Sequence, residues 1–106
     1  MAWICLLLAG VLEIVWAAAM KKSDGFTTLT PTVVTLVAMI ASFSLLAFAM
    51  RTLPLGTAYS IWTGIGAAGA FVFGVLFLDE ALTPARALAA ILIIAGIILM
   101  KVSSGH

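Results

Sequence analysis

The chain has 106 residues, 65% hydrophobic and 8% charged, with a formal net charge of +1. Soluble domains carry about 25% charged residues, so this composition cannot cover a water-facing surface and reads as an integral membrane protein. There is no basic face for nucleic acid, the single Cys5 cannot close an intrachain disulfide, and one histidine, His106, makes no metal site.

Spanning hydrocarbon takes roughly 17–25 helical residues, and four segments qualify. The first, about residues 2–20, lacks a basic leader, and Glu13 interrupts its apolar run. It is therefore expected to be retained as a span and not cleaved as a signal peptide. Glu13 is the one charge in this segment, and a charge at the centre of a span opposes insertion by about 2.5–3.5 kcal/mol. On a helix it shares a face with Ala9, Gly10, Trp16 and Ala17. Small neighbours leave room for another helix or a ligand, and the Trp16 indole offers a donor and a flat ring. Two readings stay open: an acid hydrogen-bonded inside a bundle, or a proton or ion pathway, the commoner role of a lone intramembrane acid.

The connector "KKSDGFTTLTP" carries Gly25 and Pro31 as breakers and leads to an uncharged second span, about 32–50. One face of that span collects Thr35, Met39, Ser42, Leu46 and Ala49, while Ser44 points elsewhere. Serines in spans commonly bond back to their own helix, so Ser42 alone indicates little. After "RTLPLG" comes the third span, about 57–78, also uncharged, with a stripe of Tyr59, Trp62, Gly66, Gly69 or Ala70, and Phe73. Tyr59 lies where an interfacial aromatic belt would be; Trp62 lies a turn deeper, where that explanation weakens. The run "GIGAAGA" allows either close packing or a hinge at Gly64 and Gly66.

The last connector, "DEALTP", ends at Pro84, which suits a first helical turn. The fourth span, about 84–102, holds an uncharged stretch of only about 14 residues, so Arg86 and Lys101 must snorkel toward the headgroups. Ala89 and Gly96, seven apart, suit helix–helix contact, and this helix is assigned to dimerisation.

The expected fold is all-α: one four-helix transmembrane domain over residues 1–106, with short connectors making consecutive helices antiparallel neighbours. Both termini and the middle connector then share a side with Arg51 and Lys101, against Lys21, Lys22 and Arg86 opposite. So even a balance of basic residues gives almost no orientation signal. Insertion both ways round in the lipid bilayer follows, with opposite copies pairing as an inverted-topology homodimer.

Together these residues suggest a cavity with one acid per chain, aromatic walls and hydroxyl donors. A carboxylate there can hold a proton or a cation but cannot favour both at once, which is the minimal chemistry of proton-coupled cation antiport. Two acids, one from each chain, would titrate as a coupled unit. No nucleophile–base set, paired aspartates or metal ligands suggest an enzyme, and no cofactor is implied.

The pieces "GVLEIVWA", "KKSDGF", "LPLGTAYSIWTGIGAAGA" and the Ala89–Gly96 spacing resemble the small multidrug resistance family over essentially the whole chain. Trp16 and Ser42 resemble its guanidinium-exporter branch; the polyaromatic-drug branch typically has a small residue at the Trp16 position. The resemblance implies an antiparallel homodimer in a bacterial inner membrane that exchanges two protons for one guanidinium by alternating access. It implies that Glu13 binds proton or substrate, that Trp16 and Ser42 hydrogen-bond and orient it, and that Tyr59 and Trp62 line the site. Leu99 stands where the family tends to have a second late glycine. Two other functions compete: a multidrug exporter of quaternary ammonium or polyaromatic cations, and a structural subunit of a membrane complex with Glu13 buried for pairing.

Overall fold

A computed structural model describes residues 1–103; His106 lies outside the described residues. Four helices follow one another: α1 (Ala2–Lys22), α2 (Leu29–Ala49), α3 (Leu55–Phe77) and α4 (Pro84–Ser103). Each has 20 to 23 residues, about 30–35 Å at the helical rise, enough to cross the hydrocarbon core. All four are apolar enough to do so, and the chain is a multi-pass membrane protein.

The helix ends follow from local chemistry. After α1, the buried Ser23 hydroxyl donates to the Met20 carbonyl (2.6 Å) and accepts from the Phe26 amide (3.0 Å). These bonds hold a turn in which Asp24, Gly25 and Phe26 all take positive φ, a conformation uncommon for any residue but glycine. Pro31, expected as a breaker outside the span, is the third residue of α2. Its missing N–H costs nothing there, because the first four amides of a helix have no intrahelical acceptor. Pro84 opens α4, and the Thr83 hydroxyl accepts from the Arg86 amide (3.1 Å), capping the helix.

The packing order differs from the chain order. α1 packs extensively on α2 and on α3, α4 packs on α3, and α2 touches α3 only sparingly. Short connectors predict consecutive neighbours, yet α1 sits between α2 and α3. The five residues 50–54 can reach about 17 Å when extended, enough to step past it. The result is one bent layer of helices in the order α2, α1, α3, α4, with extents of 42 × 34 × 16 Å. Its core is small: Cys5, Leu6, Ala9, Leu46, Ala49, Leu53, Ala58, Ile61 and Trp62. No residue of α4 is buried.

Candidate functional site

Three helices meet at Ser42. On α2, the face Thr35, Ser42, Leu46 and Ala49 is buried, with Met39 partly so. Ser42 does not bond back to its own helix. Its hydroxyl donates to the Ala9 carbonyl of α1 (2.7 Å) and accepts the Trp62 indole N–H from α3 (3.0 Å). This pair of bonds closes the bend of the layer, since α2 and α3 have little other contact. Ser44, by contrast, donates to Ile40 of its own helix (2.8 Å) and is exposed.

α1 and α3 interlock through glycines. The Ile65 side chain fills the space a Cβ would take at Gly10, Ile14 does the same at Gly69, and the Glu13 carboxylate does so at Gly66. Glu13 is thereby laid against bare backbone, which only a glycine allows at this approach. Its Oε1 is buried with no hydrogen-bond partner, and so is the Trp16 Nε1. Buried polar atoms normally find partners, and each exception calls for a reason.

A row of aromatic rings continues from Trp16, which lies one helical turn after Glu13. Trp16 meets Phe43 edge-on at 6.2 Å between centroids, Phe43 meets Trp62 at 5.7 Å, and Trp62 meets Tyr59 at 5.6 Å. Tyr59 stands at the open end of this row, 52% exposed.

The structure therefore connects Trp16, Trp62 and Tyr59 in one row of rings and ties Ser42 to Trp62. Within one chain neither Ser42 nor Trp16 hydrogen-bonds Glu13: Ser42 is engaged by Ala9 and Trp62, and the Trp16 N–H is unpartnered. Phe43 joins the two indoles; sequence reasoning missed it, because in an apolar span one more phenylalanine gives no distinguishing signal. α3 runs unbroken through Gly64 and Gly66, and Ile97 of α4 occupies the space beside Gly64. Ala89 and Gly96 are exposed on α4, and a Cβ at Gly96 would meet nothing within 4 Å.

Comparison with known proteins finds similarity over nearly the whole chain. The family model described as Small Multidrug Resistance protein matches residues 1–94. A relative from Citrobacter freundii named Guanidinium exporter is 57% identical over 104 residues, covering 98% of this chain and 99% of its own length. Relatives of the same name from Salmonella typhi and Yersinia pseudotuberculosis are 56% and 55% identical, each across 98% of this chain and 99% or 100% of their own.

Proposed function

The chain belongs to the small multidrug resistance family, and from that premise we propose that it exports guanidinium and small guanidinyl cations from bacteria in exchange for protons. It works as an antiparallel homodimer in the inner membrane, with the two Glu13 carboxylates as the shared site for proton and substrate.

The observation that carries this reading is that the Glu13 Oε1 and, one helical turn on, the Trp16 N–H are both buried without a hydrogen-bond partner. An acid meant only to pair within its own bundle would have a donor. Here both atoms are left for something the single chain lacks. A second copy packed against this layer would bring a second acid to the site. Guanidinium suits such a site because it is planar, forks its N–H donors onto carboxylates and stacks on aromatic faces. The names carried by the relatives agree with that substrate.

In this mechanism each residue has a defined task. Glu13 holds a proton when the site is empty and gives it up when a cation enters. Gly66 supplies the flat seat on which the carboxylate rests. The Ser42–Trp62–Ala9 bonds hold the ring row in place, so donors stay aimed while the proton state changes. Tyr59, exposed in one chain, reaches toward the partner. Two protons leave per cation, since each chain contributes one acid. Alternating access follows from inverted pairing, which makes the two end states images of each other.

A quaternary ammonium has no N–H to offer, so donors and acceptors placed for guanidinium would be left unpaired around it. Trp16 therefore argues against the multidrug reading by occupying space that a larger cation would need. The account is tested by adding guanidinium to purified protein in weakly buffered detergent. Proton release that disappears in Glu13→Gln is expected; guanidinium binding without proton release overturns the shared site.

A further inference from the structure

Two serines at the same depth have different surroundings. The Trp62 indole donates to the Ser42 hydroxyl, which sets those two residues at one level. Ser44 on α2 and Ser60 on α3 each lie two residues from that bond, toward the connector 50–54, or about 3 Å along their helices. Both are exposed. The Ser44 hydroxyl donates to the Ile40 carbonyl of its own helix (2.8 Å), as a hydroxyl facing hydrocarbon must. Ser60 makes no side-chain hydrogen bond among the described residues, and neither does Thr63 or the Tyr59 hydroxyl beside it.

These three hydroxyl residues line one cavity of about 390 Å³ with Gly64, Ala67 and Ile93. Tyr59 belongs also to the row of rings, so the cavity adjoins the candidate site. Gly66, on which the Glu13 carboxylate rests, lies about 4.5 Å beyond Thr63 and about 9 Å beyond Ser60 along α3. Leu55, where α3 begins, lies about 7.5 Å before Ser60. The hydroxyls are therefore steps between the membrane surface and the depth of the acid.

Hydrocarbon offers such hydroxyls no partner, and leaving them unbonded there costs free energy. A second copy would have to bring a matching group to each, whereas water meets any pattern of donors and acceptors. Gly64 and Ala67, both small, leave room for it. We propose that Ser60 and Thr63 line a water-filled approach to Glu13, on which guanidinium trades its hydration shell for hydroxyl oxygens before it reaches the carboxylate. This role rests on the reading of Glu13 as the cation's site and adds the route to it. Each hydroxyl oxygen accepts from a guanidinium N–H, so the steps favour a cation that carries N–H groups. In an antiparallel pair the two sets of steps face opposite sides of the membrane, and each access state has its own.

The test is the rate at which a charged methanethiosulfonate modifies single cysteines in the full-length protein in proteoliposomes. The thiolate is the reacting form, and surroundings without water suppress it. In a Cys5→Ala background, Ser60→Cys and Thr63→Cys should react at least about tenfold faster than Ser44→Cys. Equal rates at the three positions overturn the proposal, whether lipid or a second copy covers the stripe. Removing both hydroxyls, Ser60→Ala with Thr63→Val, should lower kcat/KM for guanidinium transport about tenfold, the effect of two modest hydrogen bonds. Thr63→Ser keeps the oxygen and should transport as the wild type does. An unchanged kcat/KM in the double variant also overturns the proposal. Proton release on guanidinium binding, measured on the Cys5→Ala parent, separates the two readings. Its absence removes Glu13 as the site, whereas the labelling rates report the water path without reference to it.

Discussion

At Ser42 a hydroxyl that most membrane serines turn toward their own helix is shared between α1 and α3. The consequences of removing each partner differ. Trp62→Phe deletes one donor and leaves Ser42 bonded to Ala9, so it should cost about 0.6 kcal/mol, typical of a membrane hydrogen bond. Ser42→Ala leaves the buried Trp62 N–H without an acceptor and should cost more, about 1–3 kcal/mol. Unfolding of both variants in mixed micelles checks the order, and equal costs would mean that the indole finds another acceptor. Gly66 gives a second residue-level test. A methyl there meets the Glu13 carboxylate, and overpacking of this kind costs about 1–3 kcal/mol. Gly66→Ala should lower guanidinium transport about fivefold or more, while Gly56→Ala, where a Cβ meets nothing within 4 Å, should leave it intact. Similar rates in the two variants would remove Gly66 from the site.

Glu13 is conspicuous in the sequence because a charge inside an apolar run is costly, and Trp62 because it lies too deep for a surface belt. Phe43 is not, because it is one apolar residue among many and its role lies in ring geometry. The partners of Ser42 were equally hidden: a serine's spacing gives its face but not which helix will be there to accept its proton.

At the scale of elements, the four spans are legible because the membrane requires long uninterrupted helices, and the observed ends fall within a few residues of the expected ones. The packing order is less so. Connector length limits how far a helix can land from the last, and five residues were enough to pass over α1. The glycines of α3 read equally well as hinge or packing surface, and only coordinates identify Ile97, Glu13 and Ile14 as the groups beside Gly64, Gly66 and Gly69. α4 is the element whose surroundings are least filled by its own chain. Gly96 is open, and Leu92, Ile98 and Leu99 are more than half exposed. Gly96→Leu sets its Cβ in open space within the chain and should break the dimer; light scattering of the purified variant should report a monomer. A dimer of wild-type stability would move the contact away from this face.

At the scale of the molecule, one layer of helices carrying Glu13 and an open row of rings is, on the proposed reading, half of a transporter. The near-even split of basic residues, Lys21, Lys22 and Arg86 against Arg51 and Lys101, gives no reason for one orientation to dominate. A C-terminal tag should accordingly be accessible from both sides of the membrane in the same cells, and strictly one-sided accessibility would rule out the antiparallel homodimer. Such pairing would set two acids facing one cavity, and exchange of protons for a cation would then be the natural cycle.

The most direct measurement of that cycle is transport current in proteoliposomes under a guanidinium gradient, wild type beside Glu13→Gln, with tetramethylammonium and tetrapropylammonium for comparison. In the proposed cycle two protons move against one cation, so turnover would carry net charge. The account predicts a large current with guanidinium, little with the quaternary ions, and none in the variant. Wild-type current in Glu13→Gln, or current with the quaternary ions and none with guanidinium, would contradict it.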